Sequence, residues 1–297
     1  MLSVLIPVYN YHVVRLVEDL HQQAMDTFVD FEIIVIEDGS TQFLEENRTV
    51  GSLVNCNYSV LEKNVGRAAV RNLLADKAKY NHLLFLDCDA LIPNQSFINK
   101  YLSFCHEEIV VLGGRIYQDC KDPKYSLLRK YGENKERNSL TNEEQRKKFP
   151  MFTTPNFLIS KKIFDKVRFD ENIVGYGHED SVFGIHLQRL GVTYNFIDNP
   201  VIHIGLETND VFLEKTENAL ENLYELYLSG KYKELETQSK LLSFYLKLNK
   251  YKLSRFTSFL YVVFGRMLKK HLIGKNPSLF LFDLYKLLYF ASSVHNK

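Results

Sequence analysis

The chain has 297 residues, an ordinary globular composition and a formal net charge of +1 at pH 7, which excludes the uniformly basic surface of many nucleic-acid-binding proteins. Its four cysteines are scattered and form no C-x-x-C pair, so we expect free thiols in a reducing cytoplasm rather than a zinc site. Residues 1–7 predict a strand rather than a signal peptide, and no run reaches the ~18 apolar residues that a transmembrane helix needs, so we expect a cytoplasmic protein.

Apolar runs predict strands that alternate with amphipathic helices through the first half of the chain. The predicted strands are residues 3–8, 31–36, 58–61 and 83–86. The predicted helices are residues 11–23 and 66–79. Strands that are apolar on both faces and alternate with helices are typical of a parallel sheet that helices cover on both sides.

The second half is less regular, and its character changes near Gly205. Further strands are predicted at residues 109–113, 157–160 and 193–197, and further helices at 161–167, 180–190, 211–228 and 241–248. Asp180 is the expected cap of one helix, and Gly191 suits the left-handed position after its end. The polar segment 118–149 predicts a mobile functional loop. We predict two domains, residues 1–205 and 206–297.

Polar residues follow the first and fourth strands, at the edge of an α/β sheet where ligands bind. Asp87 and Asp89 come directly after the fourth strand, and two such oxygen ligands suit Mg²⁺ or Mn²⁺ on a diphosphate. The alternative is a merely acidic loop, because a bare D-x-D is a weak motif. Taken alone, Pro7-Val8-Tyr9-Asn10 indicates only that the first strand ends there and that Asn10 begins the next helix.

Two more groups of charged residues occur at such boundaries. Glu37 and Asp38 follow the second strand and could accept hydrogen bonds from a base or a ribose, or could simply form an Asp-Gly turn. Arg67 and Arg71 lie four residues apart at a helix start, where anions are favoured. The alternative there is a solvated basic edge.

Gly175 and Gly177 predict a flexible loop that other parts of the chain can approach closely, and this loop leads into two adjacent carboxylates, Glu179 and Asp180. One of them could act as a general base on a hydroxyl nucleophile, and the alternative is a helix cap without chemistry. His203 stands among apolar residues at a strand end. Such a histidine is more often part of the core, and it becomes a candidate metal ligand only beside the Asp pair.

In this order, the segments resemble the inverting family 2 glycosyltransferases with a GT-A fold, over roughly the first two-thirds of the chain. The matching segments are Pro7-Val8-Tyr9-Asn10, Glu37-Asp38-Gly39-Ser40, Asn64-x-Gly66-x-Ala68-x-x-Arg71-Asn72, Asp87-x-Asp89 and Glu179-Asp180. The resemblance implies a Rossmann-like α/β fold: a mixed, mostly parallel sheet flanked by helices, with a helical C-terminal extension.

The resemblance also implies a site for a UDP-sugar. The residues that would hold uracil and ribose are Pro7, Tyr9, Glu37, Asp38 and Arg67. Those that would hold Mn²⁺ or Mg²⁺ are Asp87, Asp89 and His203. Of the two aspartates, Asp89 is the better candidate for direct ligation. Asp180 is the first candidate for the general base. Glu179 is the second candidate, or it holds a hydroxyl of the acceptor or the donor. The segment Thr154-Pro155-Asn156-Phe157 resembles one that lines the sugar and acceptor pocket.

The implied reaction moves one hexose or N-acetylhexosamine to a hydroxyl of a glycan or lipid-linked glycan, in surface polysaccharide biosynthesis. The chain has no tryptophan, hence no Q/R-x-x-R-W motif of processive synthases, which favours single addition. Tyr176-Gly177 stands where related enzymes often have Trp-Gly, so the sugar stays open. Segment 118–149 is a candidate lid.

The last fifty residues interleave aromatic with basic residues, and from Lys247 onward Asp283 is the single acidic residue. Such a region could dock on an anionic membrane surface, or pack as a helical subdomain, or pair in a homodimer. Three rival functions are an aspartate-dependent phosphatase, a sugar nucleotidyltransferase and an inactive sugar-nucleotide-binding module. Leu91 does not fit the phosphatase motif, and no G-x-G-x-R loop supports the nucleotidyltransferase.

Overall fold

The computed structural model describes residues 1–106, 108–141, 152–173 and 175–296. These residues form two compact units. The first consists of the described residues of Met1–Gln118, Met151–Asn172 and Glu179–Gly205, and the second of those of Asp119–Pro150, Ile173–His178 and Leu206–Lys297. The second unit therefore takes in two internal segments that the predicted continuous domains had assigned to the first.

Seven strands of the first unit form one mixed sheet, and three short strands form another. The described strands are, in chain order, β1 (Leu2–Val8), β2 (Phe31–Glu37), β3 (Cys56–Val60), β4 (His82–Leu86), β5 (Ala90–Leu91), β6 (Val110–Leu112), β7 (Arg115–Tyr117), β8 (Asn156–Ser160), β9 (Asn195–Phe196) and β10 (Val201–His203). The main sheet has the order β3-β2-β1-β4-β8-β6-β9, and the small sheet has the order β5-β10-β7. Only β8 runs antiparallel to its neighbours in the main sheet that the structure describes, which confirms the predicted mostly parallel arrangement.

Helices cover both faces of the main sheet. The described α-helices are α1 (Val14–Met25), α2 (Leu44–Arg48), α3 (Arg67–Lys77), α4 (Phe97–Leu102), α5 (Ser126–Thr141), α6 (Lys161–Val167), α7 (Glu179–Arg189), α8 (Asn209–Leu228), α9 (Leu235–Gln238), α10 (Lys240–Lys250), α11 (Ser254–Ile273) and α12 (Leu279–Asn296). Alternate residues of β1 and β2 join two separate apolar clusters, one with α1 and α4 and the other with α3, α6 and α7. The apolar residues of β2, Phe31 and residues 33–36, are all buried, as an apolar strand predicts, and so are its two glutamates, Glu32 and Glu37.

The loop after β1 differs from the prediction. Asn10 does not begin the next helix, because α1 starts at Val14 and Asn10 is in the left-handed region with φ 51°. Its side-chain oxygen instead accepts hydrogen bonds from the backbone N–H groups of Thr41 (2.7 Å) and Gln42 (3.1 Å). Asn10 therefore ties the loop after β1 to the loop after β2. Gly191 has φ 69°, which confirms its predicted left-handed position after α7.

The second unit is helical. Leu268 and Leu272 of α11 pack with Tyr285 of α12 and Phe212 of α8 in one apolar cluster, and Leu127 of α5 is fully buried in it. The prediction of a mobile loop over 118–149 is therefore wrong for residues 126–141, while 142–149 lie outside the described residues. Within the part of the chain that the structure describes, no helix is long and apolar enough to cross a bilayer.

The glycine loop before α7 belongs to this second unit and is held by α8. Asn222 donates a hydrogen bond to the Tyr176 carbonyl at 3.0 Å, and a Cβ at Gly177 would lie 2.8 Å from the Cβ of Ala219. The expected close backbone approach is thus present at Gly177. The loop is fixed by these contacts, which differs from the flexible loop that the two glycines predicted.

Candidate functional site

The carboxylate at the end of β2 is built into the protein. Glu37 is fully buried, and its oxygens accept hydrogen bonds from Ser40 Oγ (2.5 Å), Asn47 Nδ2 (2.7 Å) and Tyr58 OH (3.3 Å). These partners come from three different segments around the end of the strand. Glu37 therefore holds the loops of the site in place, and its direct contact with a nucleotide stays a prediction.

Asp38 fixes the start of α3. Its two carboxylate oxygens accept the backbone N–H groups of Val65 (2.7 Å) and Gly66 (3.1 Å), and its side chain is buried. Gly39 is required beside it, because it has φ 68° and a Cβ there would lie 2.2 Å from the backbone nitrogen of Asn64. The predicted contact of Asp38 with uracil or ribose requires an oxygen that already accepts one of these bonds.

Pro7 and Tyr9 lie at the same edge of the sheet and are more accessible. Pro7 stands opposite Ile36 in the parallel register of β1 and β2, and it is partly exposed. Tyr9 follows the end of β1 and is 55% exposed. The Asp38 N–H donates to the Val8 carbonyl at 2.7 Å, which brings the two strand ends together. Of the predicted nucleotide-binding residues, these two and Arg67 present accessible surface.

A chain of ion pairs links three of the predicted site residues, Arg67, Asp87 and Glu179, through Arg71. Arg71 is buried on α3, and its Nη2 lies 2.7 Å from Asp87 Oδ1. Its Nη1 lies 3.9 Å from Glu179 Oε1, which also pairs with Arg67 Nη1 at 3.2 Å. The Arg71 guanidinium stacks over the ring of Phe169, 5.6 Å from its centroid. The four ion-pairing residues come from three separate motifs of the sequence, and the fold brings them into one network.

The two adjacent carboxylates at the start of α7 have different surroundings. Glu179 is buried, and its Oε1 is paired with the two arginines. Asp180 is partly exposed, and its Oδ1 accepts from the backbone N–H of Ser181 at 2.7 Å and from its hydroxyl at 3.2 Å. Among the described residues, the other Asp180 oxygen has no partner. The predicted cap role of Asp180 is wrong, because the helix begins at Glu179.

Asp89 and His203 meet because the small sheet aligns them. His203 stands opposite Ala90 in the antiparallel register of β10 and β5, so it lies beside the residue that precedes β5. The Nδ1 of His203 is 3.3 Å from Asp89 Oδ2, and both side chains are partly exposed. The ring of Tyr117 on β7 packs edge-on against His203, with 5.3 Å between the centroids.

The charge of Asp89 is stabilised by its neighbours. Burial by itself raises the pKa of Asp89, but the hydrogen bond and charge of His203 and the charge of Arg115 outweigh it and hold that pKa below its usual value. Burial together with the negative Asp89 raises the pKa of Tyr11 to about 12. Burial with the same carboxylate also raises the pKa of Cys88, which therefore stays a neutral thiol.

Asp87 does not join Asp89, although both were predicted to hold one metal. The carboxylate of Asp87 pairs with Arg71, whereas that of Asp89 pairs with His203. The described residues contain no group of three or more His, Cys, Asp or Glu side chains arranged to hold a metal ion. The protein thus offers two clustered ligands, one carboxylate and one imidazole, and further ligands would come from substrate or water.

The segment that resembles a pocket lining is largely internal. Asn156 is buried, and it accepts from Tyr101 OH at 2.5 Å and donates to the carbonyls of Gly114 (3.0 Å) and Asn199 (2.8 Å). Phe157 is fully buried against Phe85. These two residues belong to the core, which corrects the expectation that the whole of Thr154-Pro155-Asn156-Phe157 lines a pocket.

Sequence reasoning missed Gly205, Arg115 and Tyr117 as parts of this site. Gly205 served only as a boundary marker, and the other two lie on β7, a strand too short to predict. A Cβ at Gly205 would lie 2.3 Å from Asp89 Oδ2 and 2.9 Å from its Cγ. Gly205 therefore leaves the space that the Asp89 carboxylate occupies beside His203.

Replacing Gly205 by Ala is expected to displace the Asp89 carboxylate and to weaken Mn²⁺ binding by about tenfold to a hundredfold, the range for disturbed metal-site support. The measurement is a Mn²⁺ titration followed by electron paramagnetic resonance. Gly51→Ala is the matched control, because its Cβ would meet only Tyr58 Cβ at 3.3 Å. Equal Mn²⁺ affinity in wild type and Gly205→Ala would contradict the role given to this glycine.

Comparison with known proteins identifies the family and the fold of the chain. The model of one protein family, Glycosyl transferase family 2, matches residues 3–168. The chondroitin synthase of Escherichia coli is 28% identical over 236 residues, covering 68% of this chain and 34% of that protein. The hyaluronan synthase of Pasteurella multocida is 31% identical over 206 residues, covering 58% of this chain and 21% of that protein. The chain thus spans about a third or less of the length of these relatives.

Two solved structures share the fold. A mannosyltransferase from Pyrobaculum calidifontis, in complex with GDP-mannose and Mn²⁺, has a TM-score of 0.63 at 13% identity and covers 99% of this chain and 86% of that one. The glucosyl-3-phosphoglycerate synthase of Mycobacterium tuberculosis, with Mn²⁺, UDP and glucosyl-3-phosphoglycerate, has a TM-score of 0.51 at 16% identity, covering 75% and 79%. The fold is GT-A, and the chain belongs to glycosyl transferase family 2.

Proposed function

We propose that this glycosyltransferase moves one hexose or N-acetylhexosamine from a UDP-sugar to a hydroxyl of a glycan or lipid-linked glycan, with inversion and with a divalent metal. The observation that carries the proposal is the Asp89–His203 pair, together with the ion-pair network that leads to Glu179 and the neighbouring Asp180. The polysaccharide products in the names of two relatives support a role in surface polysaccharide biosynthesis.

Asp89 and His203 would hold the metal. A carboxylate and an imidazole, 3.3 Å apart and partly exposed, fit a first-row divalent cation that keeps open positions for other ligands. The nitrogen ligand makes Mn²⁺ a better fit than Mg²⁺, which is bound almost entirely through oxygen. When bound, the ion supplies charge neutralisation on the departing diphosphate. Asp87 pairs with Arg71 instead and so belongs to the ion-pair network that leads to Glu179.

Asp180 is the proposed base. Its oxygen without a described partner can accept the proton of the acceptor hydroxyl, whose oxygen attacks the anomeric carbon from the face opposite the diphosphate. The bond between the anomeric carbon and the diphosphate oxygen breaks, and the leaving group takes the electron pair. One displacement inverts the configuration without an enzyme nucleophile. We assign Glu179 to holding Arg67 and Arg71 in position, because it is buried and its Oε1 pairs with both arginines.

Arg67 and Tyr9 are proposed to contact the donor nucleotide. The Arg67 side chain is 44% exposed while one of its nitrogens pairs with Glu179, so part of its planar guanidinium remains accessible for stacking or for phosphate. Tyr9 offers an exposed ring at the edge where β1 and β2 end. One of the two similar structures holds GDP-mannose and the other holds UDP. The preference of this chain for a uracil nucleotide over a guanine nucleotide is therefore proposed separately and needs its own test.

The test is nucleotide release from a panel of UDP-sugars and GDP-mannose, with Mn²⁺ or with EDTA. We expect slow release of UDP from one sugar nucleotide, abolished by EDTA and restored by added Mn²⁺. Because full turnover needs the acceptor, UDP binding is measured by calorimetry on the same samples. If the samples showed neither nucleotide release nor Mn²⁺-dependent binding of any nucleotide in the panel, that result would contradict the proposed function.

A further inference from the structure

Helix α11 has two different apolar faces. Its inner face, with Leu268 and Leu272, packs in the apolar cluster of the second unit. Its outer face presents large apolar side chains that are more than half exposed. These are Phe256 (59%), Phe259 (58%), Val262 (74%), Val263 (51%) and Met267 (61%). They recur at intervals of three and four residues, so they form one stripe along the helix.

The same outer face is basic. Arg255, Arg266 and Lys270 are exposed on it, and the sequence of α11 contains no acidic residue. Among the described residues, none of these three cations has an ion-pair partner, whereas Lys269 at the side of the helix pairs with Glu217 at 2.8 Å. The outer face thus combines a continuous apolar stripe with unneutralised positive charge.

We propose that the outer face of α11 docks on an anionic lipid bilayer, lying in the plane of the headgroups. This composition is typical of a helix that lies at a membrane surface. Such a helix inserts its apolar stripe to the depth of the acyl boundary and places Lys and Arg among anionic headgroups. Its 20 residues are too polar to cross the bilayer, since no described helix is a candidate for spanning.

The charge pattern favours a lipid surface over a second copy of the chain. If two outer faces packed together, Arg255, Arg266 and Lys270 would meet the same cations of the other copy without an acidic side chain of α11 between them. Like charges brought together in an interface oppose association. An anionic headgroup layer neutralises all three cations and covers the apolar stripe at the same time. Docking of this kind would bring the enzyme to the plane of a lipid-linked acceptor.

The experiment is vesicle flotation of the whole chain, which needs no enzymatic activity. At low salt, we expect the protein to float with vesicles of phosphatidylcholine that contain about a third phosphatidylglycerol. The floated fraction should be at least about tenfold smaller with phosphatidylcholine alone. It should fall by the same factor at about 1 M NaCl, where the Debye length is about 3 Å. The double variant Phe259→Ser/Val263→Ser and the triple variant Arg255→Ser/Arg266→Ser/Lys270→Ser are each expected to lose flotation. Phe28→Ser is the matched control, because Phe28 is a fully exposed aromatic residue of the first unit.

A second readout uses the absence of tryptophan from the sequence. Phe259→Trp introduces a single indole on the outer face, and its emission should shift to shorter wavelength with anionic vesicles, whereas Phe28→Trp should not shift. Flotation that is absent, or unaffected by the apolar and basic variants, would overturn the proposal. A dimer in light scattering that dissociates in Phe259→Ser/Val263→Ser, without flotation of wild type, would assign the face to a second copy instead.

Discussion

Replacing Asp89 by Asn is expected to lower the rate of UDP release from the donor by about a thousandfold, which corresponds to roughly 4 kcal/mol of lost transition-state stabilisation. The reason is that Asp89 is the anionic member of the two-ligand pair with His203, and its low pKa keeps it charged. The amide of Asn cannot replace that charge. The measurement is single-turnover release of UDP at saturating donor and Mn²⁺.

The control for this substitution is Asp76→Asn, which removes a carboxylate that pairs with Arg168 at the surface, at 2.8 Å. We expect its activity to stay within about twofold of wild type, because exposed ion pairs contribute little. His203→Ala should weaken Mn²⁺ binding while excess Mn²⁺ partly restores the rate. An Asp89→Asn variant with wild-type rate and wild-type Mn²⁺ affinity would contradict a metal role for this residue.

Replacing Asp180 by Asn is expected to lower kcat by about a hundredfold to ten-thousandfold, the range attributed to a positioned general base, while donor affinity and stability stay unchanged. Asp180 is partly exposed, and the oxygen that we assign to proton transfer has no described partner, so its loss removes chemistry and little structure. The measurement compares kcat for glycosyl transfer with UDP-sugar affinity from calorimetry, once the panel has identified the donor.

Glu179→Gln is the matched comparison, because it removes the neighbouring charge from a buried network. Without that charge, Arg67 and Arg71 lose their shared partner, and we expect a loss of about 3 kcal/mol in the free energy of unfolding, with weaker donor binding. Urea unfolding measures the first effect. If Glu179→Gln abolished kcat with full stability while Asp180→Asn stayed active, the two roles would have to be exchanged.

The main sheet could be predicted because its strands are long and apolar on both faces. The predicted strands 3–8, 31–36 and 83–86 differ from β1, β2 and β4 by one residue at an end. Strands β5, β7 and β10 have two or three residues each, and their pairing with one another, rather than their composition, makes them strands. Helix α5 was missed because its sequence is mostly polar, and its buried contacts come from residues distant in the chain.

The sequence indicated candidate site residues but not the partners that their side chains have in the fold. Side chains two apart point the same way only within a strand, and β4 ends at Leu86, so Asp87 and Asp89 are free to turn to Arg71 and His203. The sequence also does not show whether a polar residue at a strand end binds a ligand or another residue of the protein. For Glu37, the partners Asn47 and Tyr58 lie in other segments, and only the fold brings them together.

The small sheet has a consequence for how the protein folds. It joins Asp89 to His203, which lie more than a hundred residues apart in sequence, so their contact closes a long loop of the chain. Strands β1 to β4 are complete before β10 is synthesised, and chains grow at about 5–20 residues per second. The parallel core can therefore begin to assemble several seconds before the histidine reaches its aspartate. In that interval the proposed metal site lacks its imidazole ligand, so it can be completed only after β10 has been synthesised.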